Sequence, residues 1–168
     1  MHSDGVFNYY PKMTEAEVAA SEDVGLGSHT DLQCFTLLWQ DMIGGLRVLN
    51  KDGQWIKATP IEGTIVVNIG DYLMRLSNDR FKSTVHRVYN RSTVDRYSMP
   101  FFFGFNFNEK CGVLPTCTDE NNPPKYEPIS CGDVSIRSSS LADCLLTVIV
   151  VPTTVPTGRC PKKGLKIR

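Results

Sequence analysis

An excess of either charge is absent from this 168-residue sequence, because 18 Lys and Arg residues balance 18 Asp and Glu residues. Proteins that bind nucleic acids or anionic membranes usually present a basic stripe or patch. The apolar run at residues 141–151 contains Asp143 and is shorter than the about 20 residues of a membrane span, so it is either a buried or an exposed strand. These absences favour a small-molecule partner, with no nucleic acid and no membrane, and leave the oligomeric state open.

Closely spaced cysteine pairs are also absent. Residues 1–5 carry no apolar core of the kind that signal peptides have, so we expect reduced thiols and a cytoplasmic location. Cys111 and Cys117 alone do not make a zinc site, which usually has four protein ligands or three plus water. The six cysteines are Cys34, Cys111, Cys117, Cys131, Cys144 and Cys160.

Histidine is scarce, and the only three are His2, His29 and His86. His29 and Asp31 are two residues apart, so in a strand their side chains point to the same face. His86 lies in the β-prone run 81–89 and is the best third candidate. Two histidines and one carboxylate form the facial triad of non-haem Fe(II) oxygenases. A lone His-x-Asp pair also occurs by chance, in which case His29 is simply packed or solvated.

A second polar pair follows ten residues after His86. Arg96 and Ser98 share a strand face by the same two-residue period. The guanidinium fork can bind a carboxylate through two hydrogen bonds, and the serine hydroxyl can add a third. The sequence therefore joins a candidate metal triad to a candidate carboxylate clamp.

Short β-prone segments separated by turns favour a sandwich or barrel over a βαβ fold. The best helix candidate is residues 71–76, and residues 12–23 form either a short helix or a solvated connection. We expect Phe35, Trp39, Leu46 and Trp55 to pack in the core. The predicted strands are residues 6–10, 34–39, 46–49, 55–58 and 64–69.

Eight segments carry a resemblance to a known family, in its order and at about its spacing. They are residues 8–12, 29–31, 36–41, 44–48, 68–71, 76–78, 81–88 and 96–98. Over residues 8–133 the chain resembles the Fe(II)- and 2-oxoglutarate-dependent dioxygenases, in particular the isopenicillin N synthase-like group. The resemblance implies a mostly β fold with few short helices, a double-stranded β-helix or jelly roll.

The resemblance also implies the cofactors and their ligands. His29, Asp31 and His86 would hold Fe(II), while Arg96 and Ser98 would bind the distal carboxylate of 2-oxoglutarate, with O2 as the further co-substrate. No separate catalytic residue is implied beyond this metal centre.

Four further residues enter through the resemblance. Asn8 and Tyr10 are similar to groups that contact 2-oxoglutarate. Phe101 or Phe103 is expected to line a substrate pocket, with core packing as the alternative.

A simple hairpin centred near Arg91, which would set His86 opposite Arg96, is the alternative to the jelly roll.

The implied activity is oxidation of a small-molecule metabolite by hydroxylation, desaturation or cyclisation, with release of succinate and CO2. One alternative is an iron-dependent oxidase of the same fold that does not use 2-oxoglutarate. Another is an inactive, truncated jelly-roll fragment that only binds a ligand.

Two domain expectations follow. Residues 1–133 form the oxygenase domain, truncated on its N-terminal side because relatives usually carry a long region before the segment that begins at Asn8. Residues 134–168 form an atypical C-terminal tail, either disordered or not native to the family, as a retained intron or a shifted gene model would produce.

Overall fold

The computed structural model describes residues 3–20, 25–130, 132–133 and 148–152. Two short α-helices, α1 (Glu15–Ala20) and α2 (Asp71–Leu76), and one 3-10 turn, Pro115–Cys117, accompany the strands. The strands are β1 (Asp4–Gly5), β2 (Asn8–Tyr10), β3 (Phe35–Gln40), β4 (Leu46–Leu49), β5 (Trp55–Lys57), β6 (Thr64–Ile69), β7 (His86–Val88), β8 (Arg96–Phe103), β9 (Lys110–Cys111), β10 (Ile129–Ser130) and β11 (Val148–Pro152).

The strands form two main sheets in which all pairings are antiparallel. The larger sheet has the order β1-β8-β3-β6-β11, with β2 also paired to β8, and the smaller has the order β5-β4-β7. Strands distant in sequence are therefore neighbours, as crossover connections in a jelly roll require. The predicted fold is confirmed, and the hairpin near Arg91 is wrong because β7 pairs with β4 whereas β8 pairs with β3.

The alternation of side chains along β3 and β8 decides which residues face the space between the sheets. Thr36, Arg96 and Ser98 are buried, whereas Tyr97 and Met99 are exposed on the opposite face. Trp39, expected in the core, is 38% exposed because it shares its face with Phe35 rather than with Thr36.

The predicted helix at residues 71–76 is confirmed as α2. Its Tyr72 and Leu76 pack with Cys34 and Ile129 in a buried cluster. The helix begins after Gly70, where a β-carbon would lie 2.1 Å from the carbonyl oxygen of Gln33. Only glycine allows the two backbones to approach so closely, and this contact holds α2 beside the segment that carries Asp31.

Helix α1 and strand β11 lie outside the part of the fold that forms the two central strand pairings. Helix α1 has no buried residue, so the connection at residues 12–23 is both helical and solvated in its described part. Strand β11 pairs with β6 from Val148 opposite Asn68 to Pro152 opposite Thr64. The rest of the expected tail lies outside the described residues, and the boundary at residue 133 stays a prediction.

Candidate functional site

A cavity opens between the two sheets and collects most of the polar residues singled out above. Strands from both sheets contribute to its wall, and apolar side chains such as Leu38, Leu46 and Val66 cover most of it. The polar residues at its wall are Asn8, Tyr10, His29, Asp31, Thr36, Asn68, His86, Arg96 and Ser98. An apolar cavity with a few convergent polar groups is typical of a small-molecule site.

One end of the cavity is formed by His29, Asp31 and His86. The backbones of His29 and His86 pair directly, with N–H to carbonyl distances of 3.0 and 2.9 Å in the two directions. Asp31 Oδ1 lies 3.7 Å from His29 Nε2 and 3.6 Å from His86 Nε2. These separations exceed a hydrogen bond, so the three atoms converge on a common point without bonding to one another.

The other ring nitrogen of each histidine fixes the tautomer. His29 Nδ1 lies 2.8 Å from the Gly27 carbonyl oxygen, and His86 Nδ1 lies 3.0 Å from that of Thr84. A carbonyl only accepts, so each Nδ1 carries a proton, and in the neutral ring Nε2 then offers its lone pair. Burial lowers the pKa of His86, although the Asp31 charge opposes the effect, so the neutral ring is favoured. Two imidazole nitrogens and a carboxylate oxygen fit a divalent metal ion.

The second oxygen of Asp31 is already occupied. Asp31 Oδ2 accepts hydrogen bonds from Thr36 Oγ1 and, at 2.8 Å, from Asn68 Nδ2. Both residues lie in segments that carry the family resemblance, yet sequence reasoning gave them no role. Their function depends on the pairing of β3 with β6, which the sequence pattern does not reveal.

The other end of the cavity is formed by Arg96, which is only 1% exposed. Nε donates to the Gly44 carbonyl, while Nη1 lies 3.4 Å from Ser98 Oγ and Nη2 lies 3.4 Å from Gln40 Oε1. The guanidinium also lies over the Tyr10 ring, 4.7 Å from its centroid. All of these partners are uncharged.

Arg96 is therefore a buried cation without a carboxylate in contact. Among the described residues, no carboxylate oxygen lies within 4.0 Å of its guanidinium. Burial lowers the pKa of Arg96, and the charge of Asp41 and the interaction with Tyr10 offset this effect only in part. A buried unpaired charge is costly, and an anionic ligand would remove that cost.

A glycine pair shapes the backbone beside Arg96. Gly44 and Gly45 have φ of +81° and +100°, which side-chain-bearing residues rarely adopt. A β-carbon on Gly45 would lie 3.2 Å from Arg96 Nε and 3.1 Å from the Tyr89 carbonyl oxygen. Sequence reasoning identified these glycines as part of a motif segment but did not predict this contact.

The remaining candidates divide between the two faces of the larger sheet. Asn8 pairs with Ser98 and Tyr10 with Arg96 across β2 and β8, so both reach the cavity. Neither Phe101 nor Phe103 is among the described residues that line it. Phe101 is exposed, and Phe103 stacks on Phe35 at 4.7 Å between ring centroids. Phe102, which shares the face of Arg96 and Ser98, lines the cavity instead.

The site can be set beside known proteins. The model of the 2OG-Fe(II) oxygenase superfamily matches residues 2–105. This chain belongs to that superfamily. Its cofactors, Fe(II) and 2-oxoglutarate together with O2, suit a cavity with a metal-binding end and an anion-binding end.

Individual superfamily members are similar over most of this chain. The 2-oxoglutarate-Fe(II) type oxidoreductase ppzC of Metarhizium majus is 52% identical over 142 residues, which cover 81% of this chain and 38% of that protein. The bi-functional coumaroyl CoA and feruloyl CoA ortho-hydroxylase Diox1 of Ruta graveolens is 39% identical over 131 residues. These residues cover 76% of this chain and 34% of the plant protein.

The fold is also similar to that of a solved structure. A full-length Neurospora crassa protein, crystallised in complex with alpha-KG and 5-formyluracil, superimposes with a TM-score of 0.74 at 37% identity. The match covers 80% of this chain and 46% of that one. This chain therefore spans less than half the length of each of these relatives.

Proposed function

We propose that this chain carries the catalytic core of an Fe(II)- and 2-oxoglutarate-dependent dioxygenase. It would oxidise a small-molecule metabolite by hydroxylation, desaturation or cyclisation, and release succinate and CO2. The observation that carries the proposal is one cavity with a ligand set for a cation at one end and, at the other, a buried cation, Arg96, that no carboxylate of the described residues contacts.

The roles of the polar residues follow from their charge and hydrogen bonds. His29 Nε2, His86 Nε2 and Asp31 Oδ1 would hold Fe(II). Arg96 would bind the distal carboxylate of 2-oxoglutarate, with Ser98 completing the clamp. When bound, iron and cosubstrate supply the oxidising chemistry, in which O2 is reduced as 2-oxoglutarate is decarboxylated and the substrate oxidised.

The hydrogen-bonding groups of β2 would assist the clamp. Tyr10 supports the guanidinium through its ring, and Asn8 presents an amide on the same face two residues away. The apolar wall would keep water from the reacting groups. Phe102 replaces Phe101 and Phe103 as our candidate for substrate contact, because its side chain lines the cavity.

The partner and location are part of the proposal. A small metabolite is favoured over nucleic acid because the charges of the chain balance. No helix within the described residues is long and apolar enough to cross a bilayer. The free thiols of Cys111 and Cys117 support a reducing compartment, so we propose the cytoplasm. The isopenicillin N synthase-like group is supported by the order and spacing of the motif segments.

The test is succinate formation from 2-oxoglutarate by the purified 168-residue chain, with Fe(II) under air. The His86→Ala variant, checked for folding by circular dichroism, removes one metal ligand and should give no succinate above the blank. Succinate from the unchanged chain would support the proposal. A folded, iron-binding chain that forms none would contradict it, and O2 consumption without 2-oxoglutarate would then support the oxidase alternative.

A further inference from the structure

Two residues outside the metal triad act on its carboxylate. Thr36 on β3 and Asn68 on β6 are directly opposite each other in the antiparallel register, so their side chains stand together on the cavity face. Both are buried, and both donate a hydrogen bond to the same atom, Asp31 Oδ2. A cross-strand pair thus converges on one oxygen of a single carboxylate.

This convergence distinguishes the two oxygens of Asp31. Oδ2 is held by two donors, while Oδ1 faces the Nε2 atoms of His29 and His86 at 3.7 and 3.6 Å. Rotation of the carboxylate about its last bond would break both hydrogen bonds to Oδ2. The pair therefore fixes which oxygen is presented to the metal position.

The amide of Asn68 shows that this arrangement has a cost. Its Oδ1 is buried, and no donor among the described residues reaches it. A flipped amide would set that oxygen against Asp31 Oδ2, bringing two acceptors together. An unpaired buried acceptor is destabilising, and an apolar side chain of similar shape would avoid the penalty. Packing alone does not explain an asparagine at this position, whereas donation to Asp31 does.

We infer that Thr36 and Asn68 are positioning residues that make Asp31 a one-oxygen metal ligand. The inference rests on the proposed function, in which Asp31 holds the metal. Holding Oδ2 keeps the carboxylate from binding through both oxygens, so that the remaining coordination positions stay available to cosubstrate and O2. Partners of metal ligands in other proteins change metal affinity by about 10- to 100-fold when they are removed.

The test compares Co(II) binding to the whole chain and its variants, by chelator competition and by the visible absorption of the bound ion. Thr36→Val and Asn68→Leu remove one donor each with little change of shape, and each should weaken Co(II) binding about 10-fold. Thr36→Ser keeps the hydroxyl and should restore affinity to within about 3-fold of the unchanged chain. The absorption band should change in the double variant, because coordination through both oxygens alters the geometry of the ion.

A matched control is Asn90→Leu. Asn90 is also buried, its Oδ1 also has no partner among the described residues, and its Nδ2 reaches the Pro11 carbonyl at 3.5 Å, away from the triad. This variant should bind Co(II) as the unchanged chain does. Circular dichroism identifies variants that have not folded. If Asn68→Leu does not fold, the test rests on Thr36→Val, which is the smaller change.

The outcomes separate this inference from the proposed function. If the unchanged chain binds no Co(II), the metal centre fails and the inference fails with it. If the unchanged chain binds Co(II) and the folded variants bind it equally well with the same absorption, the metal centre stands and the positioning role is wrong. Weaker binding in Thr36→Val that Thr36→Ser reverses supports the inference.

Discussion

The two ends of the cavity would bind ligands of opposite charge, a cation at one end and an anion at the other, and they are built on different backbone elements. At the metal end, His29 lies outside the named strands and pairs with His86 through an isolated bridge, and its side chain is 34% exposed. The other end depends on Arg96, which begins the eight-residue strand β8 and is 1% exposed. The end that would meet O2 and substrate is therefore partly open at His29, whereas the end that would anchor the cosubstrate is closed.

This difference indicates that binding energy for the cosubstrate is provided at the Arg96 end, whereas access from outside is provided at the metal end. A charged hydrogen bond is stronger in a dry environment, so the buried guanidinium suits a group that is held and does not react. Both imidazoles are oriented by backbone carbonyls, and that of His29 remains reachable from outside. The ends should consequently respond independently to substitution, and the following experiments test that independence.

The largest effect is expected for Arg96→Met, which removes the charge and keeps much of the side-chain volume. Binding of 2-oxoglutarate, measured by calorimetry with Mn(II) present, should weaken by at least about 100-fold, because a buried charge pair loses one partner. Binding of Mn(II) itself should change less than about 3-fold, since Arg96 belongs to the opposite end.

The control for this prediction is Arg47→Met. Arg47 stacks on Tyr89 at 4.3 Å from the ring centroid and does not line the cavity, so the same chemical change should leave both affinities unaltered. A parallel loss of Mn(II) binding in Arg96→Met would show that the two ends are coupled.

A smaller effect is expected for Gly45→Ala. The new β-carbon would crowd Arg96 Nε and strain a backbone with φ of +100°, so we expect about 10-fold weaker 2-oxoglutarate binding and unchanged Mn(II) binding. Gly53→Ala introduces a comparable strain at φ of +73°, but nothing lies within 4 Å of its β-carbon. Calorimetry on both variants separates contact with Arg96 from strain alone, and equal losses would contradict the assigned contact.

No effect on the cavity is expected for Tyr126→Phe, and this variant supplies a baseline because Tyr126 is not among the residues that line the cavity. Tyr126 donates to Asp79 at 2.5 Å, and burial together with this hydrogen bond raises its pKa to about 12. Loss of the bond should lower the free energy of unfolding by about 1 kcal/mol at pH 7. Neither ligand affinity should change.

The contribution of Tyr126 to the free energy of unfolding should decrease at high pH. The folded protein binds the phenol proton more tightly than the unfolded chain, so the contribution of Tyr126 is complete below pH 10.0 and is lost as the pH rises toward about 12. Urea unfolding at about pH 7 and about pH 11 should therefore show a stability difference between the two proteins that shrinks at the higher pH. A difference that grows would contradict this assignment.

The sequence was most informative where a local rule sufficed. The two-residue period predicted that His29 and Asp31, and Arg96 and Ser98, share a face, and these side chains do meet at one cavity. The same period, applied to the following residues of β8, would have selected Phe102. We instead expected Phe101 or Phe103, because the resemblance indicated a segment and not a face.

Other features depend on strand register and could not be predicted from local pattern. Thr36 and Asn68 are far apart in sequence and become partners only when β3 pairs with β6. The exposure of Trp39 has the same origin, since a tryptophan is expected in the core until the face of its strand is known. Local rules thus identify which residues carry the chemistry, whereas register decides which residues support them.

The pairing of β11 with β6 has a consequence for how the protein behaves in concentrated solution. Strand β6 has the sequence TIVVNI, which is uncharged and rich in β-branched residues, and such a strand aggregates when its backbone groups are left open. Residues 148–152 cover that edge and end at Pro152, which lacks the N–H that a further strand would use. Strand β11 therefore covers the backbone edge of β6, the strand that carries Asn68, so that edge is not open to a second molecule.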